Sequence, residues 1–491
     1  MAEPATRLSP AEQAVKKSFH EAMKRADDKR RSQALVALNY FYNDYEEDFA
    51  AFLSKVFEHP EEKIVVATNP LAHFATTRAQ VFTDQPSYTV TVNGEESERD
   101  TELWNHLVDK GRWNDIFAEA NALEFVVGTV GLKPAASEDG HLALHLITPD
   151  FLKVQQREDD PSEAFAVMYE IFRLIDSPFA ARKEEWAVWT PDQHFVVDES
   201  GKPIRRMSDG MENPYGLIPI AFTRSQEPRH GEFFSPIARD QLSIMRAVNV
   251  GLIAIEHAIV NGGFNQAFSV NFPEETLRQK GMDVVWMVDG IKEGDVTPNV
   301  GILDFAADFE GLRDGLEYIM QLGAMMRGVP ASEFRVTGSQ PESGRARWID
   351  RMPLQERRRD DISRWRRTLA RFFEIAARVW SAELAGDGSV GDFAADPEFN
   401  YEFSEGAELQ VDFVDPKFPE DEIEKRDRWE QDLKLGVISR VDIIMEQNPD
   451  LSREEAEKRL KEIGLEQGEF RGANVLGQIN MRPDDDEELT Q

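Results

Sequence analysis

Residues 235–260, SPIARDQLSIMRAVNVGLIAIEHAIV, constrain this chain more than any other stretch. Ser235-Pro236 places a helix-capping residue ahead of a proline at the first helical position, and Asn261-Gly262-Gly263 is a C-terminal stop. A helix between these signals is roughly 37 Å long. Its second half is apolar almost all round, with Ile244, Met245, Val248, Leu252, Ile253, Ile255 and Ile259. Such a helix belongs in an interior. Arg246, Asn249, Glu256 and His257 interrupt the run and count against a membrane span, because charge is costly in lipid. Two readings remain: a core helix, or a helix packed against copies of itself. Periodicity alone does not separate them.

A chain of 491 residues has room for two to four domains, and 41% hydrophobic residues supply a sizeable core. There is no cysteine, which removes disulfides, thiolate zinc sites and cysteine nucleophiles and suits a reducing compartment. The opening MAEPATRLSPAEQ lacks the basic-then-apolar pattern of a secretion signal. A net charge of −35 argues against non-specific duplex binding, where basic patches dominate affinity. It is compatible with a protein that lets DNA pass without holding it, and equally with a surface built for solubility.

Residues 10–58 read as helical, with aromatics at helical spacing from Phe41 onward. Asn69-Pro70 starts a helix and Gln85-Pro86 stops one. Tyr88–Val92 is a strand ahead of an Asn93-Gly94 turn, and Asp100–Gly128 holds one or two helices. From Val130 to Phe222 the period changes to strands, with candidates beginning at Leu142, Ala164, Glu185 and His194, and an antiparallel sheet is expected. The segment 262–305 is a mixed α/β insert with a strand at Ala267–Phe272, a short helix at Pro273–Lys280 and a strand at Val284–Val288. Asp304–Arg327 returns as helix, so two antiparallel helices flank an insert at one tip. Pro330–Gly344, PASEFRVTGSQPESG, is a loop.

Arg345–Leu384 is helical again, and Pro353 should kink it or mark the start of its main part. Between Arg345 and Arg371 ten arginines face four acids, Asp350, Glu356, Asp360 and Asp361. In so acidic a chain this is an outlier. A salt-bridged face, pairing for example Asp360 with Arg364, is one reading; acids supplied by a neighbouring subunit are the other. Phe399–Val414 alternates as one or two strands. Helices follow at Pro419–Leu435, Ser439–Gln447 and Ser452–Ile463, the last with a capping box from Ser452 to Glu455. Residues 467–491 form an acidic tail.

Signatures of chemistry are missing. There is no Walker lysine loop, dinucleotide fingerprint, nucleophile elbow or His-Glu-x-x-His pair. His141 and His145 share one face of a strand, a weak metal signal. The reading is a protein without catalysis, metal or cofactor. An unrecognised hydrolase built on the abundant carboxylates is the alternative from a different class.

The order of elements resembles the portal proteins of tailed double-stranded DNA bacteriophages with long non-contractile tails, over roughly 39–463. Pro214-Tyr-Gly-Leu-Ile-Pro-Ile-Ala-Phe222, leading into the helix with Asn249, is similar to that family's passage from wing to stem. Gly328-Val-Pro330 through Glu342-Ser343-Gly344-Arg345-Ala346 resembles its passage through the tunnel loop. Asp415-Pro-Lys-Phe-Pro-Glu-Asp421, then Leu435-Gly-Val-Ile-Ser439, resembles its entry to the crown.

The resemblance implies an α+β, mainly helical portal fold: N-terminal helices and wing at 1–234, a stem helix at 235–261, a clip at 262–305 and a second stem helix at 306–329. A tunnel loop at 330–344, a tunnel and wing helix at 345–385, wing strands at 386–415 and a crown at 416–466 follow, before the tail at 467–491. It implies a ring, commonly of about twelve copies, at a capsid vertex in the virion, assembled in the host cytoplasm. Double-stranded DNA would pass through it, and the terminase large subunit, a head–tail adaptor and the major capsid or scaffolding protein would dock on it, with no membrane involved. Another ring-forming head–tail component is the nearer alternative. Arg335, Thr337, Gly338, Ser339, Gln340 and Glu342 would belong to the loop nearest the DNA. Arg345, Arg347 and Arg351 would contact subunits or DNA. Glu274, Glu275, Arg278 and Lys280 of the clip would meet partners.

Overall fold

In the computed structural model the residues described are 28–57, 68–137, 139–171, 185–198, 203–204, 212–263, 266–270, 299–303, 309–334, 344–385, 396, 398–414, 422–448 and 452–463. They fall in two compact units, one from 1–338 with 350–416 and the other from 339–349 with 417–491. The class is α+β with helix predominant.

The first unit opens with α1 (Asp28–Phe41) and α2 (Glu46–Val56). Sequence periodicity joins these into one helical stretch, but Asn43 takes a left-handed conformation, φ 64°, and turns the chain between them. Asn69 then caps α3 (Pro70–Arg78), accepting a hydrogen bond from Ala72 N as its position before a proline predicts. β1 (Ser87–Val92) and β2 (Glu95–Glu96) form a hairpin whose Asn93-Gly94 turn has both residues at positive φ. α4 (Glu98–Lys110) and α5 (Trp113–Val127) follow as two helices.

The strand region is antiparallel, as expected, but makes two sheets rather than one. β3 (Thr129–Ala136), β4 (Leu142–Ile147) and β10 (Ala221–Arg224) form a three-stranded sheet in the order β10-β3-β4. β5 (Leu152–Gln156), β6 (Ala164–Ile171), β7 (Glu185–Trp189), β8 (His194–Asp198) and β9 (Pro203–Ile204) form a five-stranded meander.

The long apolar helix, α6, runs Arg239–Gly263. It starts three residues later than the Ser-Pro signal implies. Ser235 is already committed to the sheet: its N–H donates to Thr129 Oγ1 at 3.0 Å and its hydroxyl to Gln226 O. The helix also absorbs Asn261-Gly262-Gly263 instead of stopping before them. β11 (Gln266–Val270) and β12 (Asn299–Leu303) pair as an antiparallel ribbon that returns the chain to α7 (Phe309–Met326). The expected helix at Pro273–Lys280 and strand at Val284–Val288 lie outside the described residues.

After a short turn of 3₁₀ helix at Ala331–Phe334 comes α8, Gly344–Glu383. Pro353 lies inside it and the helix continues on both sides, so the proline does not set its start. From Leu354 on, its buried positions repeat at helical spacing: Leu354, Arg358, Ile362, Trp365, Leu369, Phe372, Ala376, Val379 and Trp380. They meet Trp104, Trp113 and Phe117 of α4 and α5 in a cluster of edge-on rings, such as Trp113 against Phe372 at 5.2 Å. β13 (Ala407–Asp412) is one strand, and it pairs with β1 from Ser87↔Asp412 to Val92↔Ala407.

The second unit holds α9 (Glu422–Leu435), α10 (Arg440–Gln447) and a further helix at 453–463. Gly436, at φ 71°, turns the chain after α9. Ser439 and Asp442 form a capping box, and so do Ser452 and Glu455. Arg428 and Trp429 both donate to Glu446, at 2.8 and 2.9 Å, closing a helical hairpin. The acidic tail lies outside the described residues.

Candidate functional site

Helices α6 and α7 pack side by side in opposite directions. Arg327 pairs with Asp240, Gly323 faces Ile244 and Gly251 faces Leu316. As one number rises the other falls by the same amount, which fixes an antiparallel register from base to tip. Two glycines set the spacing of this seam. A Cβ at Gly323 would stand 2.8 Å from Ile244 Cδ1, and one at Gly251 would collide with Leu316.

The polar residues that interrupt α6 fasten it to its surroundings. Arg246 donates to Tyr40 Oη at 3.1 Å and to Asp48 Oδ2 at 2.5 Å. Asn249 accepts from Thr68 N at 2.9 Å. Among the described residues no helix is long and apolar enough to cross a membrane. Among the described residues the far side of α7 has no such cover. Tyr318, Leu322 and Met325, at steps of four and three, share one face and are 66%, 45% and 66% exposed. A contiguous apolar stripe of this kind marks a contact surface.

The arginines of α8 divide by task. Arg358 is buried and donates to two backbone carbonyls, Gln80 O at 2.9 Å and Val414 O at 2.7 Å. Arg364 pairs with Asp361, three residues back, not with Asp360; buried Asp361 also holds Arg78. Arg351 pairs with Glu333 at 2.9 Å. Arg366 donates to Val411 O at 3.2 Å, Arg367 reaches Glu227 at 3.4 Å and Arg371 pairs with Glu374. Much of the basic surplus is therefore spent inside the chain. The side chains of Arg345 and Arg347 lie outside the described residues, as do Arg335, Thr337, Gly338, Ser339, Gln340 and Glu342 of the loop and Glu274, Glu275, Arg278 and Lys280 of the insert.

A buried polar node beside this helix escapes a reading of the sequence. Glu124 of α5 accepts from Asn121 Nδ2 at 2.9 Å, from Trp365 Nε1 at 3.2 Å and from the Thr223 hydroxyl. Burial pushes its pKa up to about 7, the hydrogen bonds from Thr223 and Asn121 opposing. One acid inside the apolar run Ala122-Leu-Glu-Phe-Val-Val127 was the available signal. The node joins α5, β10 and α8. These hydrogen bonds tie the three elements to one another. Among the described residues no cluster of histidine and acid could hold a metal. His145 stands on β4 and is exposed; His141 lies just before that strand.

No family model matches the chain, and no curated protein matches it. Among solved structures it is similar to a chain in the virion of a native gene transfer agent particle, at 14% identity over 76% of this chain and 86% of that one, with a TM-score of 0.40. It is likewise similar to a chain in the neck of an empty gene transfer agent particle, at 14% identity over 76% of this chain and 88% of that one, with a TM-score of 0.42.

Proposed function

We propose that this chain is a portal subunit, one copy in a ring at a capsid vertex through which double-stranded DNA is packaged and ejected. The observation that carries this reading is the α6–α7 hairpin. Its arms are antiparallel, a two-stranded ribbon joins their far ends, and α7 keeps an apolar stripe turned away from its own partner helix. Neighbouring copies arranged about an axis would cover that stripe. The order of hairpin, loop and long helix matches the portal resemblance carried by Gly328-Val-Pro330 and the residues after it. Under this reading the hairpin is the stem, residues 262–305 the clip that meets a head–tail adaptor, and 330–344 the loop nearest the DNA. The helices after 416 are the crown. The terminase large subunit and the capsid or scaffolding protein are the remaining partners, and the protein has no catalytic role.

The acid excess fits a conduit, since a wall with few cations makes few phosphate contacts and releases few counterions. Native mass measurement with negative-stain imaging tests the reading. A turbine-like ring with a central hole is the expected result, and a compact dimer with a deep pocket would overturn it. In assembling particles, deleting 338–341 should block packaging or retention of DNA while rings still form.

A further inference from the structure

A trough of about 760 Å³ opens beside α8. Arg364, Arg367, Arg371 and Arg378 line one wall, and Arg157 and Arg224 line it elsewhere. The four on α8 stand three, four and seven residues apart, which keeps them on one helix face in a row roughly 21 Å long. The floor is apolar, formed by Leu217, Ile220, Phe222 and Phe233. Glu163, Glu227 and Glu374 are the acids of the lining, and Asp159 and Asp361 just outside it pair with Arg157 and Arg364.

These acids still leave donors over. Arg378 has no carboxylate partner among the described residues. The Nε atoms of Arg224 and Arg364 are buried with no acceptor. Arg224 gives Nη2 to Ser162 O at 2.6 Å and lies 4.7 Å over the Phe233 ring. Burial holds its pKa down, with Glu163, Glu227 and Asp160 pulling the other way. The Arg367–Glu227 pair is exposed on both sides and free to exchange partners.

We infer that this trough receives an acidic segment of a second copy of the chain, with carboxylates along the arginine row and apolar side chains on the floor. The identity of that partner rests on the portal reading. A row of this length is too extended for one small oxyanion, and it suits a strand or helix that presents an acid about once per turn. The complementary charge is at hand, because each copy carries 91 acidic residues against 56 basic ones. Chains at −35 repel one another at long range, and a basic recess gives that repulsion a local reversal.

The test uses the full chain with the double variant R371E/R378E, both positions being exposed. Self-association is followed by sedimentation velocity and native mass at low and high salt, and pyrophosphate binding is measured alongside. The expected result is association that weakens with salt in the wild type and is weaker by roughly tenfold or more in the variant, with an unchanged melting temperature. Wild-type rings matched by variant rings would overturn the inference and leave the portal reading standing. A row-dependent compact dimer would uphold the trough and sink the ring. A wild type that never associates would overturn the second copy as occupant, while the loop deletion still tests the portal reading. Saturable pyrophosphate binding lost in the variant, with association unchanged, would reassign the trough to a small oxyanion.

Discussion

The hairpin of α6 and α7 and the second half of α8 are both long, apolar and interrupted by charge, yet they are completed differently. In α8 the apolar positions vanish under rings from α4 and α5, and the interrupting cations reach backbone carbonyls or a buried aspartate within the same chain. In the hairpin one seam is closed by two glycines, and the opposite face of α7 is left with Tyr318 and Met325 two-thirds exposed. On the portal reading, the difference separates what one copy needs in order to fold from what copies need in order to assemble. Helical periodicity reports both in the same letters, and only burial tells them apart.

The comparison predicts the largest effect in α8. Trp365 is fully buried, so Trp365→Ala should cost about 3–5 kcal/mol, read as a lowered denaturant midpoint. If stability hardly changed, the division between the two helices would fail. At the seam, Gly251→Val must displace Leu316 and should cost about 1–3 kcal/mol, read in thermal melts together with loss of rings. A variant as stable as the wild type would mean that the helices are not held at this distance.

A pH series sharpens the picture at Glu124. Its folded pKa of about 7 lies above the ordinary 4.5, so the folded state binds this proton more tightly. The stabilisation is complete below about 4.5 and is lost as pH rises to about 7. Glu124→Gln keeps an acceptor for Asn121 and Trp365 and can donate to the Thr223 oxygen. The wild type should therefore lose stability relative to this variant across that window, and parallel curves would overturn the assignment. The smallest effect on folding belongs to the exposed stripe. Tyr318→Ser with Met325→Ser should shift unfolding by no more than about 1 kcal/mol in total while abolishing rings in native mass spectra. Intact rings would mean that the stripe is not a contact.

Much of this was legible in the sequence. Asn69-Pro70, Asn93-Gly94 and the Ser452 capping box act locally, and each did what its chemistry implied. Signals that compete with tertiary contacts were misleading. Ser235 serves the sheet rather than the helix, Pro353 does not mark the start of α8, and Arg364 takes Asp361, an acid that also holds Arg78. The split of the strands into two sheets depends on pairings far apart along the chain, and the sequence leaves no local trace of them. Of the candidate site, the arginine outlier was visible, but its division between internal ties and an open trough was not. Glu124 became meaningful only once three donors converged on it.

The hairpin is pinned at both ends: at its base Asp240 grips Arg327, and at its far end the ribbon from Gln266↔Leu303 to Val270↔Asn299 locks the two arms together. Neither helix can then slip lengthwise past the other without breaking one fastening. Sliding would also pull Gly251 away from Leu316 and Gly323 away from Ile244, the two places where the helices come closest. The seam therefore has one register, set by side chains at the base and by backbone hydrogen bonds in the ribbon.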